Sequence, residues 1–491
     1  MKIILTLLEI IFKMEEPMKV LFVSAEVVPF SKTGGLADVA YSLPSALREE
    51  GIDIRVMTPK NFYNKTIPIK ENYLASGEIE VGWRKQFIGI STAIYDDSQF
   101  YFIDNEYYFK REELYGYFDD GERYSYFCRA VLEALKMIDF VPDIIHLNDW
   151  HTAMVPLLMK KHYLHIDKFK NIKTVYTIHN LKYQGVFNKE VMNELLNLDY
   201  SEFNSGAVEF YGNVNFMKSG IIFADAITTV SKTYSNEIRD AFFGENLHDV
   251  INENSYKLHG IINGIDYKIY NPKTDERIIK NYSSSNSSVK HINKNYLQKI
   301  LGLPKSKNTP LIAMITRLTE QKGLDLLENI IEELLSLDIQ LVVLGTGDEK
   351  FENMLRYYND YFDNLAVRIE FDEEIAHQIY AGADMFLMPS QFEPCGLSQM
   401  ISQRYGTIPI VRETGGLKDT VIPYNKFTKE GTGFSFGSYN AHEMLFAIKR
   451  AMEIYTNKEE WRNLVKRAMK IDLSWKKSAQ KYKKLYEKLL G

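Results

Sequence analysis

Arg317 and Lys322 stand five positions apart in TRLTEQKG, where a short apolar run ends. A guanidinium fork and an ammonium point charge this close suit a diphosphate, and both would stabilise charge gathering on it as a leaving group. The plainer reading is two solvated basic residues. A second loop, KTGGLADV, sets Lys32 beside Gly34 and Gly35, where the backbone can approach a ligand closely; an ordinary tight turn is the alternative. Its core T-G-G-L-x-D returns at Thr414 to Asp419 in RETGGLKDTV. In MPSQFEPCGLSQM, Glu393 precedes Pro394, a residue suited to the first position of a helix, where the helix dipole favours an ionised carboxylate. That acid either caps the helix or offers fixed negative charge to a sugar hydroxyl or a developing positive centre. Cys395 beside it lacks any protease-like surroundings and reads as a small packing residue.

Two further loops carry histidines: HLNDWHT with His146, Asp149, Trp150 and His151, and TIHNLKYQG with His179 and Asn180. Neither has the H-E-x-x-H spacing of a zinc site, and the chain contains no D-x-D triplet, so no metal is expected. Hydrogen bonding to sugar hydroxyls fits these loops better. LGTGDEK matches neither the nucleotide phosphate loop nor the dinucleotide fingerprint, and no ATPase or NAD chemistry is read from it.

All of these loops follow strand-like runs. KVLFVSAE, DIRVMTP, DIIHLNDW, KTVYTIHN and AITTVSK in the first half, and PLIAMITRL, IQLVVLGTGD, VRIEFDE, MFLMPSQ and TIPIVRETGG in the second, are short, apolar and unalternating, as parallel strands covered on both faces should be. Helix-period stretches such as AYSLPSALREEG, SYFCRAVLEALKMI, GLDLLENIIEELLSL and NAHEMLFAIKRAMEIY separate them. The pattern predicts two doubly wound α/β domains in tandem, whose ligands meet the strand ends. The expected boundaries are an extension over 1–17, a first domain over 18–262, a second over 263–473, and a final amphipathic helix over 474–491. The Ser-rich NYSSSNSSVKHIN reads as an exposed loop, and NGID as the hinge.

With 491 residues, 45% of them hydrophobic, there is ample core for more than one domain, and the net charge of −6 gives no general attraction to nucleic acid or anionic lipid. Two distant cysteines make no disulfide framework and fit a reducing, cytoplasmic compartment. MKIILTLLEIIFK has an apolar run, but Glu9 interrupts it and no small-residue cleavage site follows; Met18 looks like the natural start.

The motifs SAEVVPFSKTGGLADV, HLNDWHT, TIHNLKYQG, NFMKSGIIFADAITTVS, GIINGID, TRLTEQKG, PSQFEPCGLSQM and RETGGLKDTV together resemble the bacterial glycogen (starch) synthases of glycosyltransferase family 5, from about Met18 to the C-terminus. The resemblance implies a GT-B fold, two Rossmann-like domains facing a deep cleft. It also implies transfer of glucose, with retention, from ADP-glucose to the non-reducing 4-hydroxyl of an α-1,4-glucan such as glycogen. No cofactor and no metal is implied. Carried over, His179, Arg317, Lys322 and Glu393 are the catalytic group. Lys32, Gly34, Gly35, Asp38, Asn263, Phe371, Thr414, Gly415 and Gly416 meet ADP-glucose. Glu26, Asp149, Trp150, His151, Tyr183 and Gln184 lie toward the acceptor. The last helix crosses back to the first domain. Phe371 stands where an aromatic hydroxyl is expected near the adenine, and Gln391 where an Arg is common, which bears on donor choice rather than on reaction type.

Two other classes share these features. An epimerase or a phosphorylase keeps the fold with different chemistry, the epimerase needing no acceptor and the phosphorylase needing pyridoxal phosphate. A binding-only protein has no use for the full set Lys32, Arg317, Lys322 and Glu393.

Overall fold

The computed structural model describes residues 17–62 and 67–491, so the expected extension over 1–17 lies outside the described residues except for Pro17. The chain divides into two compact units. One contains the residues up to Thr229, Ile238–His259 and Ser478–Gly491; the other contains Val230–Glu237 and Gly260–Lys477. Besides the junction near the expected NGID hinge, a short excursion over Val230–Glu237 places first-half residues in the second unit.

In the first unit the strands are β1 (Lys19–Val23), β2 (Asp53–Pro59), β3 (Asn72–Val81), β4 (Arg84–Tyr95), β5 (Ser98–Asp104), β6 (Ile144–Asn148) and β7 (Lys173–Ile178). A small antiparallel sheet of β8 (Val186–Asn188), β9 (Glu209–Phe210) and β10 (Asn213–Asn215) follows, then β11 (Ala226–Thr229) and β12 (Leu258–Gly260). The large sheet runs β12-β11-β7-β6-β1-β2-β5-β4-β3. From β11 to β5 its strands are parallel and nearly all buried, whereas β3 and β4 add an antiparallel edge that the apolar-run pattern did not signal. The helix over Gly35–Glu49 starts at the second glycine of KTGG and tolerates Pro44 in its buried interior.

The second unit holds β13 (Leu311–Ile315), β14 (Gln340–Leu344), β15 (Leu365–Arg368), β16 (Met385–Met388), β17 (Ile408–Arg412) and β18 (Phe434–Phe436). Its sheet is parallel throughout in the order β15-β14-β13-β16-β17-β18, which is the 3-2-1-4-5-6 order of a Rossmann fold. The strand order reverses between β1 and β6 in the first unit and between β13 and β16 in the second. Those are the crevices where such sheets take ligands. Every chemically loaded loop named above follows a strand at or next to one of these two points.

From Ser478 on, the last helix (Trp475–Leu490) belongs to the first unit. There the Tyr486 hydroxyl meets His146 Nδ1 at 2.6 Å and Lys483 Nζ donates to the carbonyl of Glu50 at 2.7 Å. Among the described residues no helix is long and apolar enough to cross a membrane.

Candidate active site

At the switch point of the second sheet, Lys322 donates to Glu393 Oε2 at 2.6 Å, and the Ser390 hydroxyl donates to the same oxygen at 3.0 Å. Gly323, at φ +78°, makes this meeting possible: a Cβ there would sit 2.4 Å from the carbonyl oxygen of Pro389, so only glycine lets the loop after β13 lie against the loop after β16. Arg317, five positions before Lys322 on the same loop, is exposed. Glu393 itself is buried, and its loop is held from β17 by the Arg412 guanidinium, which donates to the carbonyl of Gln391. The expectation that Pro394 opens a helix is corrected here. The helix begins at Ser398, after a left-handed Gly396, and the backbone of 393–395 is used to receive other loops. Glu393 is therefore compensated by an ammonium and a hydroxyl, not by a helix dipole.

The turn at Thr414 packs against that backbone. Gly415 and Gly416 lie so close that a Cβ would fall 1.9 Å from the Glu393 carbonyl oxygen and 2.0 Å from that of Cys395. The turn's amides are internally used: Thr414 N–H donates to Arg412 O, Gly415 N–H to both oxygens of Glu237 at 3.0 and 3.1 Å, and Gly416 N–H to Glu393 O at 3.1 Å. The space these glycines open is filled by protein backbone, where the sequence pattern suggested an approach for a ligand. Asn263 is buried, with Oδ1 lacking a hydrogen-bond partner among the described residues, and Phe371 is 81% exposed before the helix over Glu373–Gly382.

In the first unit, the buried Glu26 accepts from the Thr33 amide at 2.5 Å and the Thr33 hydroxyl at 2.8 Å. Burial pushes its carboxyl above the ordinary range, against these hydrogen bonds. Lys32 pairs with Asp38 at 2.9 Å, half-exposed, and a Cβ on Gly34 would meet nothing within 4 Å. This copy of the T-G-G turn is open, unlike the second. After β6, Asp149 takes a left-handed φ of +54° and accepts from the His179 amide at 2.8 Å. Burial pushes the Asp149 carboxyl up to about 7 and the His179 imidazole down to about 3, so His179 is neutral and its Nε2 faces Asn148 Oδ1 at 2.9 Å.

Trp150, Tyr183, Gln184, Lys182, Phe210 and Glu245 help line a cavity of about 410 Å³. The Gln184 amide donates to the carbonyl of Glu245 at 2.9 Å, holding Glu245 and Asn246, which are both left-handed, in its wall. Aromatic faces with polar groups at the rim suit a sugar ring. Among the described residues no cluster of three or more His, Cys, Asp or Glu side chains is disposed to hold a metal ion.

Residues 19–253 match the family model described as starch synthase catalytic domain, and residues 298–470 the one described as glycosyl transferases group 1. A glycogen synthase of Clostridioides difficile strain 630 is 52% identical over 480 residues, covering 96% of this chain and 99% of the relative. The chain belongs to the glycogen and starch synthase family. Another member, the glycogen synthase of Caldicellulosiruptor saccharolyticus, is 54% identical over 476 residues, 96% of this chain and all of that one. The catalytic domain of starch synthase IV from Arabidopsis thaliana, solved with ADP and acarbose, superposes with a TM-score of 0.90 at 34% identity, covering 96% of this chain and 99% of that domain. A sucrose-phosphate synthase from Thermosynechococcus elongatus, 18% identical with a TM-score of 0.62 and covering 96% of this chain and 99% of that one, shares the fold. This glycogen and starch synthase family member is a glycosyltransferase of GT-B fold, each of its two domains Rossmann-like.

In this family member, the geometry brings Lys322 to Glu393 in one unit, and Asp149 to His179 and Trp150 to Tyr183 and Gln184 in the other. His151 is apart from the cavity lining: it is buried among the rings of Tyr115, Tyr124 and Trp150. His146, read with the sugar-binding loops, is a fully buried β6 residue bound to Thr177 and Tyr486, pushed down to about 3 by burial. Sequence reasoning passed over Glu237 and Arg412. Arg412 directly precedes the quoted turn at a strand end, which is signal enough; Glu237 lies in a helix with no local mark, and only the tertiary fold reveals it.

Proposed function

We propose that this chain transfers glucose from ADP-glucose to the non-reducing 4-hydroxyl of an α-1,4-glucan, with retention, releasing ADP and elongating glycogen in the cytoplasm. The observation that carries the reading is the Lys322–Glu393 pair at the switch point of the second sheet, with Arg317 exposed on the loop that carries Lys322. Lys322 has three N–H donors and Glu393 takes one, which leaves two for phosphate oxygens. Arg317 adds the fork. Together they offset the charge that grows on ADP as the glycosidic bond breaks, the role a metal plays elsewhere. Glu393 faces the transferred glucose with fixed negative charge, suited to its hydroxyls and to an oxocarbenium-like centre.

Retention without a covalent intermediate follows if the acceptor attacks from the face the diphosphate leaves, with the departing oxygen taking the acceptor proton. His179, kept neutral by burial and with its Nε2–H donated to Asn148 Oδ1, then supplies a hydrogen bond near the reacting centre through Nδ1 as an acceptor rather than acting as a charged acid. Lys32, Gly34, Gly35 and Asp38 meet the sugar nucleotide from the open turn, and Asn263, Phe371 and Thr414 to Gly416 belong to the nucleotide side. Glu26, Asp149, Trp150, His151, Tyr183 and Gln184 form the acceptor side. The first domain carries the acceptor side and, at Lys32 to Asp38, part of the donor site, and the second binds the nucleotide sugar. The ADP and acarbose bound to the Arabidopsis domain support a nucleotide donor and a glucan acceptor.

The test is incorporation of labelled glucose from ADP-glucose or UDP-glucose, with and without glycogen. Label precipitating with polymer, fastest from ADP-glucose and only when glycogen is present, is the expected result. Conversion of the sugar nucleotide without acceptor would mean an epimerase, and no conversion at all a binding protein.

A further inference from the structure

We propose that Glu237 is a positioning residue for glucosyl transfer: its carboxylate fixes the Thr414–Gly416 turn, and through that turn the backbone of Glu393. Glu237 closes the excursion Val230–Glu237, first-half chain that belongs to the second unit. It accepts from the Thr414 hydroxyl at 3.0 Å and from the Gly415 amide at 3.0 and 3.1 Å. The same excursion holds neighbouring residues at two more places, one backbone carbonyl and one side-chain carboxylate. The Ser231 hydroxyl donates to the carbonyl of Pro394 at 2.6 Å, and the amide and hydroxyl of Thr233 donate to Asp419 at 2.9 and 2.6 Å. On its other side the turn donates its Gly416 amide to the carbonyl of Glu393 at 3.1 Å, with no room between them. Glu237, the turn and Glu393 thus form one continuous hydrogen-bonded chain.

No other carboxylate accepts from this turn among the described residues. Removing Glu237 leaves the Gly415 amide and the Thr414 hydroxyl to find new partners, which a packed turn can do only by shifting. A shift passes to Glu393, and a misplacement of about 1 Å in a reacting group costs roughly 10²-fold in rate. Lys322 bonds to Glu393 and the turn itself stands on the proposed nucleotide side, so donor affinity can fall with kcat, whereas the proposed acceptor cavity is built by the other unit and glycogen affinity should survive. The assignment rests on the reading of Glu393 as a group facing the transferred glucose.

The experiment compares full-length Glu237→Ala and Glu237→Gln with the parent for kcat, donor KM, ADP affinity and thermal midpoint, each rate normalised to folded protein. Glu237→Ala should lose about 10- to 100-fold in kcat, with the KM for glycogen, measured alongside, within about threefold of the parent. Glu237→Gln should recover several-fold over Ala, because its amide oxygen still accepts from the turn. Thr414→Val, which keeps the shape and removes one donor, carries the same test should Glu237→Ala fail to fold, and should lose kcat without loss of glycogen affinity. A kcat within twofold of the parent in Glu237→Ala overturns the assignment. So does a glycogen KM rising as steeply as kcat falls, or a Gln variant no better than Ala. Because each value is a ratio to the parent on whichever nucleotide sugar the parent uses, failure of ADP-glucose as the donor is read separately from failure of Glu237.

Discussion

Gly416 lies against the carbonyl of Cys395 so closely that a Cβ would be 2.0 Å from its oxygen, while its counterpart in the first T-G-G turn, Gly35, opens a helix. The two copies of the motif have one feature in common. In each, a carboxylate accepts from the threonine hydroxyl and a backbone amide of the turn: Glu26 at Thr33, Glu237 at Thr414 and Gly415. They differ in what the glycines face, open space at Gly34 and packed backbone at Gly415 and Gly416.

That contrast separates stability from function. Gly416→Ala should cost about 1–3 kcal/mol, as overpacking does, and lower the unfolding temperature. Gly34→Ala, with φ −156° and no neighbour within 4 Å, should unfold like the parent, yet raise the donor KM if a ligand approaches its backbone. Thermal denaturation run beside donor kinetics reads both, and equal loss of stability in the two variants would contradict the distinction.

Lys322 and Glu393 should not be interchangeable losses. Lys322→Ala removes a charge from the leaving diphosphate and should lower kcat/KM by roughly 10²-fold. It also leaves the buried Glu393 with only Ser390 on its side chain. Glu393→Gln keeps the shape, leaves Lys322 free for phosphate, and should lower kcat while ADP binds as well or better. Steady-state kinetics with ADP inhibition constants distinguish them; unchanged turnover in Lys322→Ala would remove the clamp from the mechanism.

Much of this was legible in the sequence because parallel strands buried on both faces announce themselves as apolar runs. β1, β2, β6, β7, β11, β13, β14, β16 and β17 fall on such runs, β15 meets the run VRIEFDE only at Val367 and Arg368, and the strand ends carry the loops with Lys32, Asp149, Arg317 and Glu393. β3 and β4 were missed because edge strands with one wet face alternate, as in Glu78-Ile79-Glu80-Val81, and their turns use left-handed Gly82 and Asp96-Asp97 rather than a helix crossover. The helix expected at Pro394 failed for a tertiary reason: the carbonyls of 393–395 are taken by Gly416, Ser231 and Gln399, and that backbone cannot also coil. Glu237 was invisible for the same kind of reason, since its partners lie 177 and 178 positions away.

Asp149 gives a prediction in pH. Its native carboxyl titrates near 7 against an ordinary value of 3.8, so between those values the folded chain holds a proton that the unfolded chain does not. Its contribution to stability is complete below about 4 and is lost as pH rises through about 7. His146 and His179, both near 3, act oppositely, costing stability as pH falls from 6.5 toward 3, but they are common to parent and variant. Asp149→Asn keeps an acceptor for the His179 amide at the same side-chain size. The variant's unfolding temperature should therefore gain on the parent's as pH rises from about 4 to about 7. A difference that does not change with pH would show that burial of the charge is not what the position costs.

Tyr183 tests the acceptor cavity without touching the donor side. It is 51% exposed at the rim, while Trp150 forms the buried wall and packs on Gly185, where a Cβ would come within 2.4 Å of the indole. Truncating Trp150 would collapse that packing, so Tyr183 is the cleaner probe. An aromatic face is worth about 0.5–1.5 kcal/mol beyond the area it covers, which at the upper end is about tenfold in affinity. Tyr183→Ala should thus raise the KM for glycogen or a maltooligosaccharide by several-fold to tenfold, with the KM for the sugar nucleotide unchanged. Lys182 and Glu245 line the same cavity with opposite charges, so a neutral polyol should lose more than a charged solute from this substitution. Kinetics with the acceptor varied at saturating donor, then the reverse, settle the assignment: an acceptor KM equal to the parent's, or a donor KM that rises in step, would place the glucan elsewhere.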